Sequence, residues 1–170
     1  QVAQRAIAYL RPQQDGATGG WPTVMKEGGP ALPAISGLAL TGILMDRATD
    51  HNDPKVRAAA AYILSFAKPD GGIHDGVLEN YNTTICVSAL SKLKTEEARS
   101  VVKAAVPYLK GLQWGEESSD VPGTGIVAKD HPYYGGVGYG SHGRPDNSNL
   151  NMMLTALQDA GVPGDDPAVQ

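Results

Sequence analysis

Cysteine is almost absent from the 170-residue sequence, which contains only Cys86. A single thiol excludes a disulfide within the chain and a metal site built on a CxxC pair. Cys86 lies in an apolar stretch of helical period, which favours a small core residue over a reactive thiol. Aromatic residues are also scarce, at 6% of the chain, so there is little to line a large aromatic cavity.

Neither positive nor negative charge dominates the sequence. Lys and Arg number 14 against 18 Asp and Glu, for a net charge of −4, and the two signs are interspersed. Without a basic stripe, nucleic acid is not an expected partner. No apolar run approaches the roughly 20 residues of a membrane span, and the N-terminus lacks a signal-peptide pattern. Localisation stays open, because a signal could have been removed before Gln1.

What the sequence does contain is internal similarity. The strings AIAYL, AAAYI and AAVPYL are each followed by a Gly-Gly turn and a second apolar helix. Their tyrosines, Tyr9, Tyr62 and Tyr108, lie 53 and 46 residues apart, a spacing typical of helical-pair repeats. We predict one repeat domain over 1–170, with units at about 1–50, 51–94 and 95–165 and the start of a further repeat at 166–170.

Capping signals mark the first helix of each unit. Asp53-Pro54 and Asp166-Pro167 each place an N-cap acceptor before a proline at the first helical position, and Thr95 precedes two glutamates. The first helix is already under way at Gln1. These signals predict an excerpt from a longer array of repeats.

Paired glycines mark the three turns, DGATGGW at 15–21, PDGGIHDG at 69–76 and YYGGVGYG at 133–140. They predict tight loops between helices. None follows a strand pattern or carries the lysine of a phosphate-binding loop, so nucleotide binding is not predicted.

The second helices share an apolar face. Aligning Leu40, Leu90 and Leu157 superposes three alanines at the preceding position, and also superposes Ile35, Ile85 and Met152. Another facet is polar in two of the three copies. It is either a solvated face or, in an inner ring of helices, the lining of a central cavity; its members are Ala34, Leu38, Thr41, Thr84, Ser88, Ser91, Asn151, Thr155 and Gln158.

Polar residues cluster just before these helices. The same alignment pairs Asp75 with His142, Glu79 with Asp146, Asn80 with Asn147 and Asn82 with Asn149. Helix capping is the first interpretation. The alternative is a polar ligand site at the mouth of a ring, at the positive ends of its inner helices. The candidate ligand-binding residues are His74, Asp75, Glu79, Asn82, His142, Arg144, Asp146 and Asn149.

Two further functional readings concern the same mouth. His74-Asp75 and His142-Asp146 could meet across neighbouring units as a general acid or base with its orienting partner. The third unit carries a polar insertion at 115–132, which is either a lid over the mouth or a plain insertion.

The residues also resemble a known family. AYLRPQQDGATGGW at 8–21 resembles the glutamine and tryptophan motif of squalene-hopene cyclases and related triterpene cyclases. Residues 135–169 resemble the prenyltransferase/squalene oxidase repeat of many bacterial proteins. The resemblance implies an α/α toroid, in which outer and inner helices alternate around an axis, as in protein prenyltransferase β subunits and the thioester domains of complement-like proteins.

The catalytic motifs of these relatives do not carry over. The sequence has no DxDD acid and no GCGEQ thioester sequence, and Thr84 stands where an Asp-x-Cys zinc site needs its aspartate. The glutamine and tryptophan motif is complete only around Gln14 and Trp21, and Gln113-Trp114 has a different spacing. No catalytic residue, cofactor or metal is therefore predicted.

We expect an all-α fold, a partial α/α toroid of three helical hairpins from an α6/α6-type barrel. The expected function is a non-catalytic, ligand- or partner-binding repeat domain of a larger bacterial protein. An excerpt of a terpenoid cyclase or prenyltransferase-like enzyme is the first alternative, and a hydrolase or lyase on the same scaffold is the second. The expected partners are further repeats of the same protein or a second copy that completes the ring as a homodimer.

Overall fold

The computed structural model describes residues 2–117, 124–141 and 143–170, and within these ranges the chain is all-α, as the sequence predicts. Loop residues form three isolated β-bridges, and the described ranges contain no strand of a sheet. None of the helices there is long and apolar enough to cross a membrane. The helices are α1 (Val2–Leu10), α2 (Pro33–Leu44), α3 (Pro54–Leu64), α4 (Glu79–Leu90), α5 (Glu96–Gly111) and α6 (Asn147–Asp159), with a short 3₁₀ turn at Arg11–Gln13.

Two of the predicted helix starts are confirmed by their capping bonds. The Asp53 carboxylate accepts from the Lys55 N–H at 2.9 Å, and α3 begins at Pro54. The Thr95 hydroxyl accepts from the Ala98 N–H at 3.3 Å at the start of α5. Each bond satisfies an N–H that the helix itself leaves unpaired.

The third predicted start, Asp166-Pro167, forms a turn. The Asp166 side chain accepts from the Ala168 N–H at 3.0 Å, as a capping aspartate does. The Val169 N–H donates to the Asp166 carbonyl at 2.8 Å, which is an i to i+3 bond. The capping geometry is thus present, and residues 167–169 form a turn rather than an α-helix.

The helices pack in two layers. Helices α2, α4 and α6 lie side by side with α4 in the middle, while α1 and α3 pack on α2, and α5 packs on α4, α6 and α3. Leu40, Leu90 and Leu157 are fully buried, which confirms the predicted apolar face. Burying a leucine contributes about 1.5–3 kcal/mol, so this face is a main source of stability.

The polar facet differs between helices. On α6, Asn151, Thr155 and Gln158 are exposed, as expected of a solvated face. On α4, Thr84 is only 1% exposed, and its hydroxyl donates to the Asn80 carbonyl at 2.8 Å. The facet is therefore solvated on α6, whereas on α4, which has a neighbour on each side, Thr84 is enclosed and Ser88 and Ser91 are half-buried.

The three glycine-pair turns close with the same two backbone hydrogen bonds. In the first turn, the Asp15 N–H donates to the Gly20 carbonyl and the Gly19 N–H donates to the Asp15 carbonyl, both at 2.9 Å. The equivalent bonds, between 2.8 and 3.0 Å, join Lys68 to Gly71 and Gly72, and Trp114 to Gly135 and Gly136. The first glycine of each pair has a positive φ of 80°, 98° and 71° respectively, a conformation that favours glycine.

Candidate functional site

The N-terminal ends of α2, α4 and α6 meet on one surface, called the mouth below. The Ala34 N–H near the start of α2 donates to the Asn82 side chain of α4 at 3.1 Å. The Asn80 side chain of α4 donates to the Gly138 carbonyl at 2.9 Å, and the neighbouring Val137 carbonyl accepts from the N–H of Asp146, the residue that caps α6. The three helices therefore run in the same direction.

Asp75 and Asn82 join the start of α4 and the loop before it to the start of α2 and the loop before that helix. The Asp75 carboxylate accepts from the Ala31 N–H at 2.8 Å. Fully buried Asn82 accepts from the Ala34 N–H and donates to the Val77 carbonyl at 2.8 Å. Since the start of α2 has no side-chain cap of its own, Asn82 satisfies one of its free N–H groups from a neighbouring helix.

Glu79 binds the loop that follows the third glycine pair. Its carboxylate accepts from the Ser141 N–H at 2.8 Å and from the Ser141 hydroxyl at 2.7 Å. Burial raises the pKa of Glu79, but the bonds from Ser141, together with the backbone N–H of Glu79 itself and the nearby His74, lower it by more, so the net pKa lies below the ordinary value. A side chain at Gly140 would overlap this carboxylate. Glu79 is therefore an ionised anchor for the loop.

Capping by local side chains, predicted for the residues before α4, is wrong for that helix. Its N-cap residue is Leu78, which has a left-handed backbone (φ 48°) and makes no side-chain cap. The Tyr139 carbonyl accepts from the Asn80 N–H at 3.0 Å and from the Tyr81 N–H at 3.3 Å. The helix end is thus satisfied by a backbone group from a distant loop, so no local acceptor is required.

His74 is a neutral histidine with both ring nitrogens engaged. Nδ1 accepts from the Gly76 N–H at 3.0 Å, and Nε2 lies 3.2 Å from the Tyr108 hydroxyl. Because a backbone N–H can only donate, Nδ1 carries no proton and the ring hydrogen lies on Nε2, which donates to Tyr108. Burial lowers the pKa of His74, which favours this neutral form.

The predicted meeting of His74-Asp75 with His142-Asp146 stays a prediction, because His142 lies outside the described residues, and no described hydrogen bond joins His74 to Asp75. The Asp75 carboxylate bonds to Ala31, and His74 Nδ1 bonds to Gly76. A general base needs a free lone pair within reach of a substrate proton. In His74 that lone pair already accepts a backbone hydrogen bond.

The residues before α6 form a local cap. Asp146 accepts from the Asn149 N–H at 2.9 Å and from the Asn149 side-chain amide at 2.7 Å, so the capping interpretation is confirmed here. Burial raises the pKa of Asp146, but the bonds from Asn149 bring it below its ordinary value. Exposed Arg144 donates to the Tyr133 hydroxyl at 3.0 Å. His142, the remaining candidate, lies outside the described residues.

Two buried amide oxygens at the mouth, Asn80 Oδ1 and Asn149 Oδ1, have no hydrogen-bond partner among the residues that the structure describes. Both side chains are fully buried. Asn149 stands at the position that aligns with Asn82, whose oxygen accepts from Ala34. The residue of α4 that aligns with Ala34 is Thr84. Helix α4 starts at Glu79, so Thr84 lies inside that helix and its N–H already bonds within it. The Thr84 N–H is therefore not free to pair with Asn149 in the way that Ala34 pairs with Asn82.

Sequence reasoning missed an apolar component of the mouth. A cavity of about 170 Å³ is lined by Met25, Leu78 and Tyr139, with Glu79 and Ser141 at its polar side. Met25 is 68% exposed and Tyr139 is 47% exposed. The segment that carries Met25 has no helical period, so no sequence pattern pointed to it.

The predicted lid falls partly outside the described residues, which omit 118–123. The described part of the insertion returns to its own start, where the Val127 N–H donates to the Gly115 carbonyl at 2.8 Å. Gly125 lies against the Trp114 ring, since a Cβ there would overlap it. The insertion is thus anchored beside the third glycine pair, and its role as a lid stays a prediction.

Among the described residues, no group of three or more His, Cys, Asp or Glu side chains could hold a metal ion. Cys86 is fully buried, and burial raises the pKa of its thiol, so the predicted core role is confirmed. In comparisons with known proteins, no family model matches the chain and no curated protein matches it.

Proposed function

We propose that the chain is a non-catalytic repeat domain that binds a segment of another polypeptide at its mouth. In this proposal the hairpins α1–α2, α3–α4 and α5–α6 are copies of one unit and form part of an α/α toroid of the prenyltransferase/squalene oxidase repeat type. The shared hydrogen bonds of the three glycine-pair turns support the equivalence of the units. The row of α2, α4 and α6 supports an inner layer of helices.

The proposal that the domain is non-catalytic is based on one observation: the polar side chains at the mouth are engaged in hydrogen bonds within the chain. Asp75, Asn82 and Glu79 each bond to a segment more than 40 residues away or to a backbone group that needs a partner. His74 and Asp146 bond to backbone N–H groups nearby. Removing Asn82 would leave the buried Ala34 N–H without its partner, and the other side chains are likewise engaged by backbone N–H groups, so we assign these side chains to stability rather than proton transfer.

The surface left for a partner is largely apolar. Met25, Leu78 and Tyr139 line the cavity at the mouth, and Met25 and Tyr139 are substantially exposed. The adjacent Glu79 carboxylate is ionised, and the chain carries a net charge of −4. A polypeptide segment with apolar side chains and a nearby Lys or Arg therefore matches this surface in both hydrophobicity and charge.

Selection of a random-peptide phage library against the full chain tests the proposal. The selected peptides are expected to contain apolar and basic residues. Met25→Glu and Tyr139→Glu, which place a second charge in the apolar contact, are expected to weaken their binding by about tenfold or more, or ~1.4 kcal/mol.

Met45→Glu is the matched control. Met45 is 74% exposed but lies at the C-terminal end of α2, away from the mouth. Peptides that bind the Met25 and Tyr139 variants as tightly as the Met45 variant would contradict the proposed site.

A further inference from the structure

Two of the three glycine pairs are covered by a helix from further along the chain, the first pair by α3 and the second by α5. A Cβ at Gly19 would lie 2.8 Å from the Cβ and the carbonyl oxygen of Ala58 in α3. A Cβ at Gly71 would overlap the carbonyl of Ala104 in α5 and lie 3.2 Å from the Tyr108 Cβ. In α3 as in α5, a tyrosine follows the alanine by four residues, so both residues lie on one helix face.

The tyrosines complete these contacts. A Cβ at Gly20 would overlap the ring of Tyr62, and a Cβ at Gly72 would lie 3.0 Å from Cζ of Tyr108. The chain therefore makes the same interface twice, with a glycine pair on one side and an alanine and tyrosine of a helix on the other. Close backbone approach of this kind is possible only where the turn has no side chains.

The third pair, Gly135–Gly136, has no such helix among the described residues. A Cβ at Gly135 would meet nothing within 4 Å, while Gly136 is covered by Pro145, which a Cβ would approach to 2.7 Å. Beside the pair lies a cavity of about 360 Å³, lined in part by Tyr133, Pro145 and Leu150. The position over Gly135 that corresponds to Ala58 and Ala104 is thus open, and a cavity lies next to it.

At the first turn, side-chain bonds fix the start of the covering helix α3. At the first turn, the Gln14 side chain donates to the carbonyls of Gly19 at 2.6 Å and Lys55 at 2.8 Å, and Arg11 pairs with Asp53 at 3.0 Å.

The third turn repeats this arrangement. Gln113 donates to the carbonyls of Gly135 and Ala168, both at 3.0 Å, and Lys110 pairs with Asp166. Asp166–Ala168 therefore occupies the place of the segment that begins α3.

We propose that Gly135–Gly136 is a docking site for a further helix that carries a small residue and, four residues later, a tyrosine, and that enters in register with Asp166-Pro167. The proposal rests on the repeat architecture proposed above, and it identifies the occupant as a helix of the same kind as α3 and α5. The alanine-sized residue fits against Gly135, and the tyrosine ring enters the adjacent cavity.

Helix α1 of a second copy fits this site poorly. Its Tyr9 is 69% exposed and is the aligned tyrosine, but Arg5 stands four residues before it, where α3 and α5 carry alanine. The contact at Gly19 leaves no room for a long side chain. If Arg5 and Tyr9 took the positions of Ala58 and Tyr62, the start of α1 would also collide with Asp166–Ala168.

A chain extended by the tested helix gives a direct measurement. Gln170 follows Asp166 by four residues, as Arg57 follows Asp53, so the sequence of residues 58–68, AAAAYILSFAK, is appended directly after Gln170. Hydrogen exchange of the Gly135 amide is then compared in the full chain and the extended chain. The proposal predicts that the extension slows this exchange by about tenfold or more.

Two variants control the measurement. Replacing the appended tyrosine by alanine is expected to reduce the protection. Gly135→Asn is expected to abolish it, since asparagine tolerates a positive φ but its side chain fills the place of the docking alanine. In the chain without the extension, Gly135→Asn meets no neighbour, so the variant is expected to fold.

The proposal is overturned if the extension leaves Gly135 exchange unchanged, or if protection survives Gly135→Asn. Sedimentation of the unextended chain supplies a further test. A dimer that Tyr9→Ser dissociates would make the second copy the occupant and would also overturn the proposal. Neither result alters peptide binding at the mouth, so failure here is distinguishable from failure of the proposed function.

Discussion

Gln14 and Gln113 make the same pair of hydrogen bonds, each to the carbonyl of the first glycine of a turn and to a carbonyl two residues after an aspartate. In the second turn, the residue at this position is Ala67, which has no side-chain amide to donate. The turn there is not clamped in this way to α5, and an open groove of about 690 Å³ separates α3 from the start of α5.

Loss of the clamp is expected to destabilise the chain. Gln14→Ala removes two hydrogen bonds, each contributing about 0.5–1.5 kcal/mol, so we expect a loss of about 1–3 kcal/mol in the free energy of unfolding. Chemical denaturation measures it. Gln13→Ala is the matched control, since Gln13 is exposed, and equal losses in both variants would contradict the role of Gln14.

The first and third turns are expected to respond differently to alanine. Gly19→Ala and Gly135→Ala both force a left-handed backbone on a residue with a Cβ, at a cost of about 1–2 kcal/mol. Gly19→Ala also collides with Ala58, which adds about 1–3 kcal/mol, whereas the Gly135 substitution meets nothing. Denaturation curves showing equal destabilisation would contradict the covering of Gly19 by α3.

His74 is expected to make stability depend on pH. Burial lowers its pKa in the folded state, so below about 6.5 the unfolded chain binds a proton that the folded chain does not. The contribution of His74 is therefore fully present above the unfolded pKa and is lost as the pH falls toward the folded pKa.

Denaturation of the native chain and His74→Gln across this pH range checks the prediction. The variant is expected to be less stable at neutral pH and to lose the part of the pH dependence due to His74. An imidazole pKa above that of the unfolded chain, measured by NMR, would contradict it.

Glu79 is expected to anchor the loop after the third glycine pair. Glu79→Gln weakens two bonds from Ser141 to a charged acceptor, so we expect a loss of about 1–3 kcal/mol and faster hydrogen exchange at Ser141. Glu27→Gln, in an exposed loop, serves as the control. Unchanged Ser141 exchange in the Glu79 variant would show that the anchor has no energetic weight.

Local chemistry in the sequence predicted the helices well. Asp53 before Pro54 fixed the start of α3, and the period of Leu40, Leu90 and Leu157 identified the buried face. Such signals operate within a few residues, so they can be read without knowing the fold.

The partners at the mouth could not be predicted in this way. Asn82 bonds to a residue 48 positions away, and Asp75 to one 44 positions away. The cap of α4 is the carbonyl of Tyr139, and since every residue has a carbonyl, no side-chain pattern marks it. The distinction between a ligand site and a structural bond therefore depends on tertiary contacts.

The central claim, that the mouth binds a polypeptide through apolar surface while its polar side chains hold the fold, is tested most directly by mapping a selected peptide on the full chain by NMR. We expect chemical-shift changes centred on Met25, Leu78 and Tyr139, with the pKa of His74 unchanged by the peptide. A footprint centred on His74, with a shift in its pKa, or a footprint on α1, α3 or α5 would contradict this claim.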